Sequence, residues 1–318
     1  MSDKITDSEK KIWDLLIIGA GPSALTAAIY SAREDMSTVM LERGAVGGLT
    51  ATIDNIENFP GYPDGVTGLN FANSLEQQAT KFGAQIEYAE ATKISRIDDQ
   101  TFEIETDDKP FFAKSILLAT GNNYRHIGIP GEDDFAHYCA TCDGAFYRGK
   151  RLAVIGGGNT AVQEAMFLTR FATHIDLVVR SYVKASQILK RDLKKMVEAG
   201  KITIHEGVTP DVMMEDRLLA HRNKENGKVE FLCDGIFVFA GVIPNTEFLR
   251  SNNGVQVKLD TIGHIITNTR LETSEPGIFA SGDVRAGANE QIVSATGEGA
   301  TAALEIREFL IEQNRKDG

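Results

Sequence analysis

WDLLIIGAGPSALTAAIYSARE, residues 13–34, sets four consecutive aliphatic side chains, Leu15 to Ile18, directly before Gly19-Ala20-Gly21 and an alanine-rich stretch. An apolar run closed by glycine and followed by small and apolar residues at helical spacing predicts a buried strand over Trp13–Ile18, a tight turn and a helix. The next apolar run, Thr38 to Leu41, ends on Glu42, so a strand–helix–strand unit is expected. In such a unit the glycines let backbone N–H groups approach a pyrophosphate at the helix N-terminus, where no basic side chain is required. Gly19 and Gly21 serve the turn, Pro22 opens the helix, and Ser23 or Ala24 takes the small-residue position where helix packs on strand. A glycine string alone ends many strands for steric reasons. Glu42 gives this one weight, because a carboxylate at that spacing can bind both hydroxyls of a ribose.

The plan recurs downstream. A strand is predicted over Arg151–Ile155, a turn at Gly156-Gly157-Gly158, a helix from Asn159-Thr160-Ala161 to Phe171, and a strand over Ile175–Val179 that ends on Arg180. A guanidinium where the first unit has an acid suits a 2′-phosphate, and Lys184 lies close enough to join it. The first unit is therefore expected to hold FAD and the second NADPH, with a solvent-facing cation as the plainer reading of Lys184. A third segment, GIFASGDVRAG, carries Gly282 and Asp283 after a short strand, Ile278 to Ala280, with a helix beginning near Gln291. A carboxylate in that turn can bond a hydroxylated chain such as ribityl. By sequence the segment belongs to neither strand–helix–strand unit.

Two further strands are expected at Phe102–Glu105 and within Ser115–Gly121, and Asn122-Asn123 makes a natural hinge with a return crossing near GVIPNTEF. The fold class expected is α/β, with two Rossmann-like, three-layer ββα nucleotide-binding domains. The boundaries read are 1–121 and 247–318 for the FAD domain and 122–246 for the NAD(P)H domain; one continuous doubly wound sheet is the alternative.

The 318 residues exceed what one core serves, and 42% apolar content suffices for two. Lys and Arg total 33 against 45 acids, a formal charge of -12 with no compensating basic run, which argues against nucleic acid or an anionic membrane surface as partner. The polar opening, residues 1–11, and the short apolar runs read as neither a signal peptide nor a membrane span, so a cytoplasmic protein is expected.

Two of the three cysteines lie in CATCDG, residues 139–144, inside the proposed NAD(P)H domain. A structural disulfide does not suit a reducing cytosol. Zinc needs four ligands, and only His137 and Cys233 are on hand to complete a set, so no metal site is expected. Cys233, in EFLCDGIFVF, reads as a buried strand residue. A redox pair fits instead: thiols two residues apart close a reducible ring, and a flavin in the same chain can deliver two electrons to it. Asp143 is a candidate proton donor to the departing thiolate, with a helix N-cap or turn carboxylate as its structural alternative.

With GAGPSA at 19, GG at 47, ENFPG at 57, ATG at 119, IPGE at 129, CATCDG at 139, GGGNTA at 156, PNT at 244 and SGDV at 281, the chain resembles the low-molecular-weight thioredoxin reductases of bacteria over nearly its whole length. The resemblance implies a NADPH domain inserted into an FAD domain, a homodimer, and thioredoxin or a thioredoxin-like protein as acceptor. It implies that Cys142 faces the flavin, that Cys139 attacks the acceptor disulfide, and that Asp143 is the acid/base. It adds Gly48, Asn58, Thr120, Gly121, Gln291 and Ile292 to the flavin contacts, and hinges at Asn122/Asn123 and Asn245–Phe248 for a domain rotation. It also implies that Gly156, Gly158, Asn159, Thr160, Ala161, Arg180 and Lys184 hold NADPH. Three departures stand out. Val179-Arg180-Ser181 replaces a more basic string, which leaves NADH or an unusual donor open; Leu49 replaces a glutamine; and Glu290-Gln291 replaces Arg-Gln. The alternative function is a related flavoenzyme driven by ferredoxin, against which the intact GGGNTA argues, or a dithiol oxidase that passes electrons to oxygen.

Overall fold

The computed structural model describes residues 11–53, 55–224, 227–250 and 254–316; all but the last residue of the polar opening read at 1–11 lies outside them. The chain divides into two compact units, one formed by the residues up to Asn123 together with those from Ile243 onward, the other by Tyr124–Val242.

In the first unit five parallel strands lie in the order Ile278–Ala280, Ile116–Leu118, Leu15–Ile18, Thr38–Glu42, Gln85–Tyr88. Leu15 to Ile18 are buried without alternation because both faces of a parallel sheet are covered. On one face the helices Pro22–Arg33 and Ile292–Lys316 pack over Leu15, Ile17, Met40, Leu117 and Phe279. On the other, Leu16, Ile18, Leu41 and Leu118 share a core with Ile94, Phe102 and Ile104 of a second sheet. That sheet runs Ile12–Trp13, Phe111–Ala113, Phe102–Thr106, Ala91–Arg96, giving the helix, sheet, sheet layering expected.

The strand predicted over Trp13–Ile18 is broken at Asp14. Trp13 pairs with Ala113 in the outer sheet, while Leu15 pairs with Thr38 in the central one. The Asp14 carboxylate accepts bonds from Ser37 N (3.0 Å), Ser37 Oγ (2.7 Å) and Lys114 Nζ (2.8 Å), which fix the crossing point between sheets. The third segment, read as outside both strand–helix–strand units, supplies the edge strand of this unit: Ile278–Ala280 pairs in parallel with Ile116–Leu118.

The second unit repeats the layering. Its parallel sheet runs Ala136–His137, Gly235–Val238, Arg151–Ile155, His174–Val179, Ile202–Glu206. Helices Asn159–Leu168 and Gln187–Glu198 cover one face, and an antiparallel sheet of Val208–Met214, Arg217–Arg222 and Lys228–Leu232 covers the other. The helix predicted to reach Phe171 stops at Leu168, where the chain tightens into turns that bond Phe171 N to Leu168 O. The apolar run read as one strand around Cys233 is two. Lys228–Leu232 belongs to the antiparallel sheet and Gly235–Val238 to the parallel one, and Cys233 is a buried free thiol between them.

The connecting segments Asn122–Tyr124 and Val242–Pro244 pair with one another as a two-stranded ribbon. At its base the Thr120 hydroxyl donates to Asn245 O (2.8 Å) and Asn245 Nδ2 donates to Thr120 O (2.9 Å).

Candidate dithiol and nucleotide-binding sites

In the first unit the turn after Leu15–Ile18 is closed by Gly19 at φ +104°, where an added Cβ would sit 2.5 Å from Ala119 O. Only glycine allows this approach of the turn to the neighbouring strand. Gly21 caps the helix Pro22–Arg33 with no side-chain cap and no acid in the first turn, so the first amides are free for an anion. Glu42 stands beside them: Oε2 accepts from Ala20 N (2.8 Å) and Oε1 from Gly44 N (2.7 Å), leaving each oxygen a further lone pair for a ribose hydroxyl. Gly48 faces Gly21 from the following loop.

The Gly282-Asp283 turn is tied to the same helix through a buried bond of 2.7 Å between the Ser23 and Ser281 hydroxyls. Glu298 holds the turn by accepting from Gly282 N (2.8 Å) and pairing with Arg285. Asp283 carries no hydrogen bond among the described residues. Burial, then the negative charges of Glu290 and Glu298, push its carboxyl up to about 6. Asn58 and Gln291 are brought together, with Nδ2 of one 3.2 Å from Oε1 of the other, and Ile292 begins the last helix. Thr120 and Gly121 sit at the base of the ribbon, and the Thr120 hydroxyl is engaged by Asn245 O.

In the second unit Gly156 adopts φ +145°, and a Cβ there would meet Phe239 O at 2.7 Å. Gly158 caps the helix Asn159–Leu168 without a side-chain bond, and Thr160 is exposed while Ala161 is buried against the turn. Asn159 Oδ1 accepts from Ser186 N (2.8 Å), and Lys184 N donates to Gly157 O (2.7 Å), so the loop after Arg180 folds onto the glycine turn. Arg180 and Lys184 are exposed, and neither has an acidic partner among the described residues. Val179 is buried, with Cγ1 2.5 Å from the position of a Cβ on Gly157.

Cys139 and Cys142 form a disulfide with Cα atoms 5.3 Å apart. Cys139 caps the short helix Ala140–Asp143, and Cys142 N donates to Cys139 Sγ at 3.1 Å, a bond that favours negative charge on that sulfur. The Asp143 side chain caps no helix. Its Oδ2 lies 3.0 Å from His137 Nδ1, and His137 Nε2 lies 2.5 Å from the Tyr147 hydroxyl. Burial, then the charges of Asp143, Asp234 and Cys233, raise the Tyr147 hydroxyl above its ordinary range. Tyr138, the residue before Cys139, donates to Glu132 (2.9 Å), which also accepts from Ile127 N and Gly128 N. Burial opposes charge on Glu132, but these bonds more than offset it and hold the carboxyl below its usual value. The glutamate of IPGE thus anchors the strand that leads into the cysteines.

Residues 13–299 match the pyridine nucleotide-disulphide oxidoreductase family. The chain belongs to it. This oxidoreductase is 37% identical over 319 residues to a thioredoxin reductase of Bacillus subtilis (strain 168), covering 96% of this chain and 97% of the relative. It is 38% identical to one from Treponema pallidum (strain Nichols), covering 94% and 97%. Among solved structures, the thioredoxin reductase of Streptococcus pyogenes MGAS5005 superposes with a TM-score of 0.88 at 34% identity, covering 95% of this chain and 99% of that one. Membership implies use of a flavin and a pyridine nucleotide. Among the described residues no helix of the oxidoreductase is long and apolar enough to cross a membrane.

Sequence reasoning missed Arg285, Glu298, Ser281 and Tyr147, and weighed His137 only as a metal ligand. An acid seven residues into the last helix was a weak hint of Glu298. Nothing local pairs His137 with Asp143, because the strand Ala136–His137 is placed by pairing with Gly235–Val238, a hundred residues away in sequence.

Proposed function

We propose that the protein is a thioredoxin-disulfide reductase that passes electrons from NADPH through FAD to Cys139/Cys142, and from that pair to the disulfide of thioredoxin or a thioredoxin-like protein. The observation that carries the reading is the closed CxxC pair flanked by Asp143, on the same unit as the second glycine turn, in a family of disulfide oxidoreductases. Relatives named thioredoxin reductase across nearly the whole chain support it.

FAD fits the first unit. The unbonded Asp283 carboxyl suits a ribityl hydroxyl, Glu42 the ribose, and the free backbone amides at the start of the helix capped by Gly21 the pyrophosphate; Pro22, Ser23, Gly48, Asn58, Thr120, Gly121, Gln291 and Ile292 are assigned to its remaining contacts. The flavin supplies a centre that accepts a hydride and gives up two electrons. In the second unit the amides after Gly158 take the nucleotide pyrophosphate, and Arg180 with Lys184 takes the 2′-phosphate, favouring NADPH over NADH.

In the dithiol state, Cys139 as thiolate attacks the acceptor disulfide, forming a mixed disulfide as the acceptor releases one thiolate. Cys142 then attacks Cys139, the internal disulfide closes, and the acceptor leaves with its second sulfur reduced. Asp143 holds the proton exchanged with Cys142. A homodimer working in the cytoplasm completes the reading.

Anaerobic addition of NADPH and, separately, NADH to the purified protein, followed by oxidised thioredoxin, tests it. NADPH is expected to bleach the flavin and thioredoxin to restore its colour. Absence of bleaching by either nucleotide overturns the reading at its first step, and bleaching without recovery overturns the acceptor.

A further inference from the structure

His137 lies two residues before Cys139 with both ring nitrogens engaged, Nδ1 to Asp143 (3.0 Å) and Nε2 to Tyr147 (2.5 Å). The placement is built from several directions. The backbone of His137 is registered against Phe237, and its ring stacks on that side chain with centroids 5.0 Å apart. Tyr147 reaches the imidazole by lying over Gly235, where a Cβ would come within 2.3 Å of its ring. The His137 and Asp143 side chains remain 31% and 25% exposed, so solvent reaches the middle of the chain and its Asp143 end, and Asp143 directly follows Cys142.

These hydrogen bonds fit a definite protonation pattern. Tyr147 keeps its proton, because burial and nearby negative charge oppose its ionisation, and it donates to Nε2 of a neutral imidazole. Nδ1–H then donates to the Asp143 carboxylate. A hydroxyl can turn from donor to acceptor, so the same three groups accommodate an imidazolium that donates from both nitrogens. The other titratable groups near this chain are Cys233 and Asp234, both on the Tyr147 side. Burial pushes the Cys233 thiol up to about 11, and Asp234 is held by Lys150 Nζ (3.3 Å) and Arg151 N (2.8 Å).

We propose that Tyr147, His137 and Asp143 form the proton store of the dithiol centre, with His137 taking up the proton set free when the reduced pair forms a thiolate. Cleavage of the Cys139–Cys142 bond by an external dithiol forms the reductant's own cyclic disulfide and leaves one thiol and one thiolate on the pair. Of the two protons the reductant gives up, one stays on a cysteine and the other is taken up at His137 Nε2 as the Tyr147 hydroxyl turns from donor to acceptor, leaving the imidazolium paired through Nδ1–H with the carboxylate of Asp143, the residue after Cys142. When the disulfide re-forms, Nε2 gives the proton up and the Tyr147 hydroxyl donates to it again. His137 and Tyr147 are positioning and proton-holding residues acting through Asp143. The inference rests on the reading of Cys139/Cys142 as a cycling pair with Asp143 at its side.

The test uses the full-length protein with histidine labelled for NMR, oxidised and then reduced with excess dithiothreitol, with His137→Asn to assign the resonance. The His137 titration midpoint is expected to rise by about one pH unit on reduction, because a thiolate nearby favours the imidazolium. The alkylation rate of the reduced pair by iodoacetamide near neutral pH is expected to fall roughly five- to tenfold in His137→Asn, reflecting a raised thiol pKa. Asparagine preserves a neutral hydrogen bond to Asp143, so a purely structural histidine would leave the alkylation profile as in the parent. Tyr147→Phe, which retains the packing over Gly235, is expected to diminish the reduction-linked shift of His137. An unchanged His137 midpoint between the two redox states, or a parental alkylation profile in His137→Asn, overturns the proposal. Neither readout needs thioredoxin, so loss of thioredoxin turnover alone would count against the functional reading and leave this one standing.

Discussion

The hydroxyls of Ser23 and Ser281 meet at 2.7 Å across 258 residues of chain, joining the helix of the first glycine turn to the turn that presents Asp283. Both serines are buried, so removing one hydroxyl leaves the other without a partner and without water. Ser281→Ala is expected to lower unfolding free energy by about 1–3 kcal/mol, the cost of an unsatisfied buried polar group. Because the bond joins two proposed flavin-holding segments, the same substitution should raise the fraction of purified protein lacking flavin. Chemical denaturation and the ratio of flavin to protein absorbance check the two effects.

Cys139 accepts a backbone N–H on sulfur, whereas no such bond to Cys142 sulfur occurs among the described residues. The asymmetry supports Cys139 as the attacking thiolate. Cys139→Ser is expected to leave flavin reduction by nucleotide intact and to abolish thioredoxin turnover. Stopped-flow reduction and a coupled thioredoxin assay measure the two, and retained turnover would remove Cys139 from the role assigned to it.

Where the sequence spoke clearly, it did so through runs long enough to outvote local exceptions. Arg151–Ile155 and Ile278–Ala280 occupy the residues read for them, because Leu152–Ile155 and Ile278–Ala280 are uninterrupted apolar stretches placed in parallel sheets. Asp14 shows the limit of this reasoning: one acid inside an apolar run was read through as part of a single strand but is a junction between two sheets, made by Ser37 and Lys114. Cys233-Asp234 is the same kind of junction in the second unit. The site divided similarly. Glycine turns, Glu42, Arg180 and the cysteines are recognisable by spacing. The bond from Asp143 to His137 depends on strand pairing between Ala136–His137 and Gly235–Val238, which local patterns do not specify.

Arg180 and Lys184 project beside the second glycine turn free of acidic partners among the described residues. A free guanidinium there is available to a 2′-phosphate and contributes little to a nucleotide that lacks one. Arg180→Ala is expected to raise KM for NADPH by about tenfold or more, the loss of a charge-assisted contact, while changing KM for NADH less than about twofold. Steady-state kinetics with the two donors decides it, and an equal change would mean that Arg180 does not read the phosphate.

Asp283 supplies a pH dependence of defined sign. Its carboxyl is raised from 3.8 to about 6 by burial and by Glu290 and Glu298, so the folded protein binds this proton more tightly than the unfolded chain does. Stability from this group is therefore fully present below about pH 4 and declines as pH rises to about 6, the reverse of a carboxylate held by a salt bridge. Flavin-stripped protein is expected to lose stability across that window relative to Asp283→Asn, which stays neutral at every pH. Thermal melts of the two proteins between pH 4 and pH 7 measure the difference. A gap that does not change with pH would show that Asp283 is as easily ionised in the fold as in the unfolded chain, and would remove the argument that its site is built to hold a hydroxyl away from water.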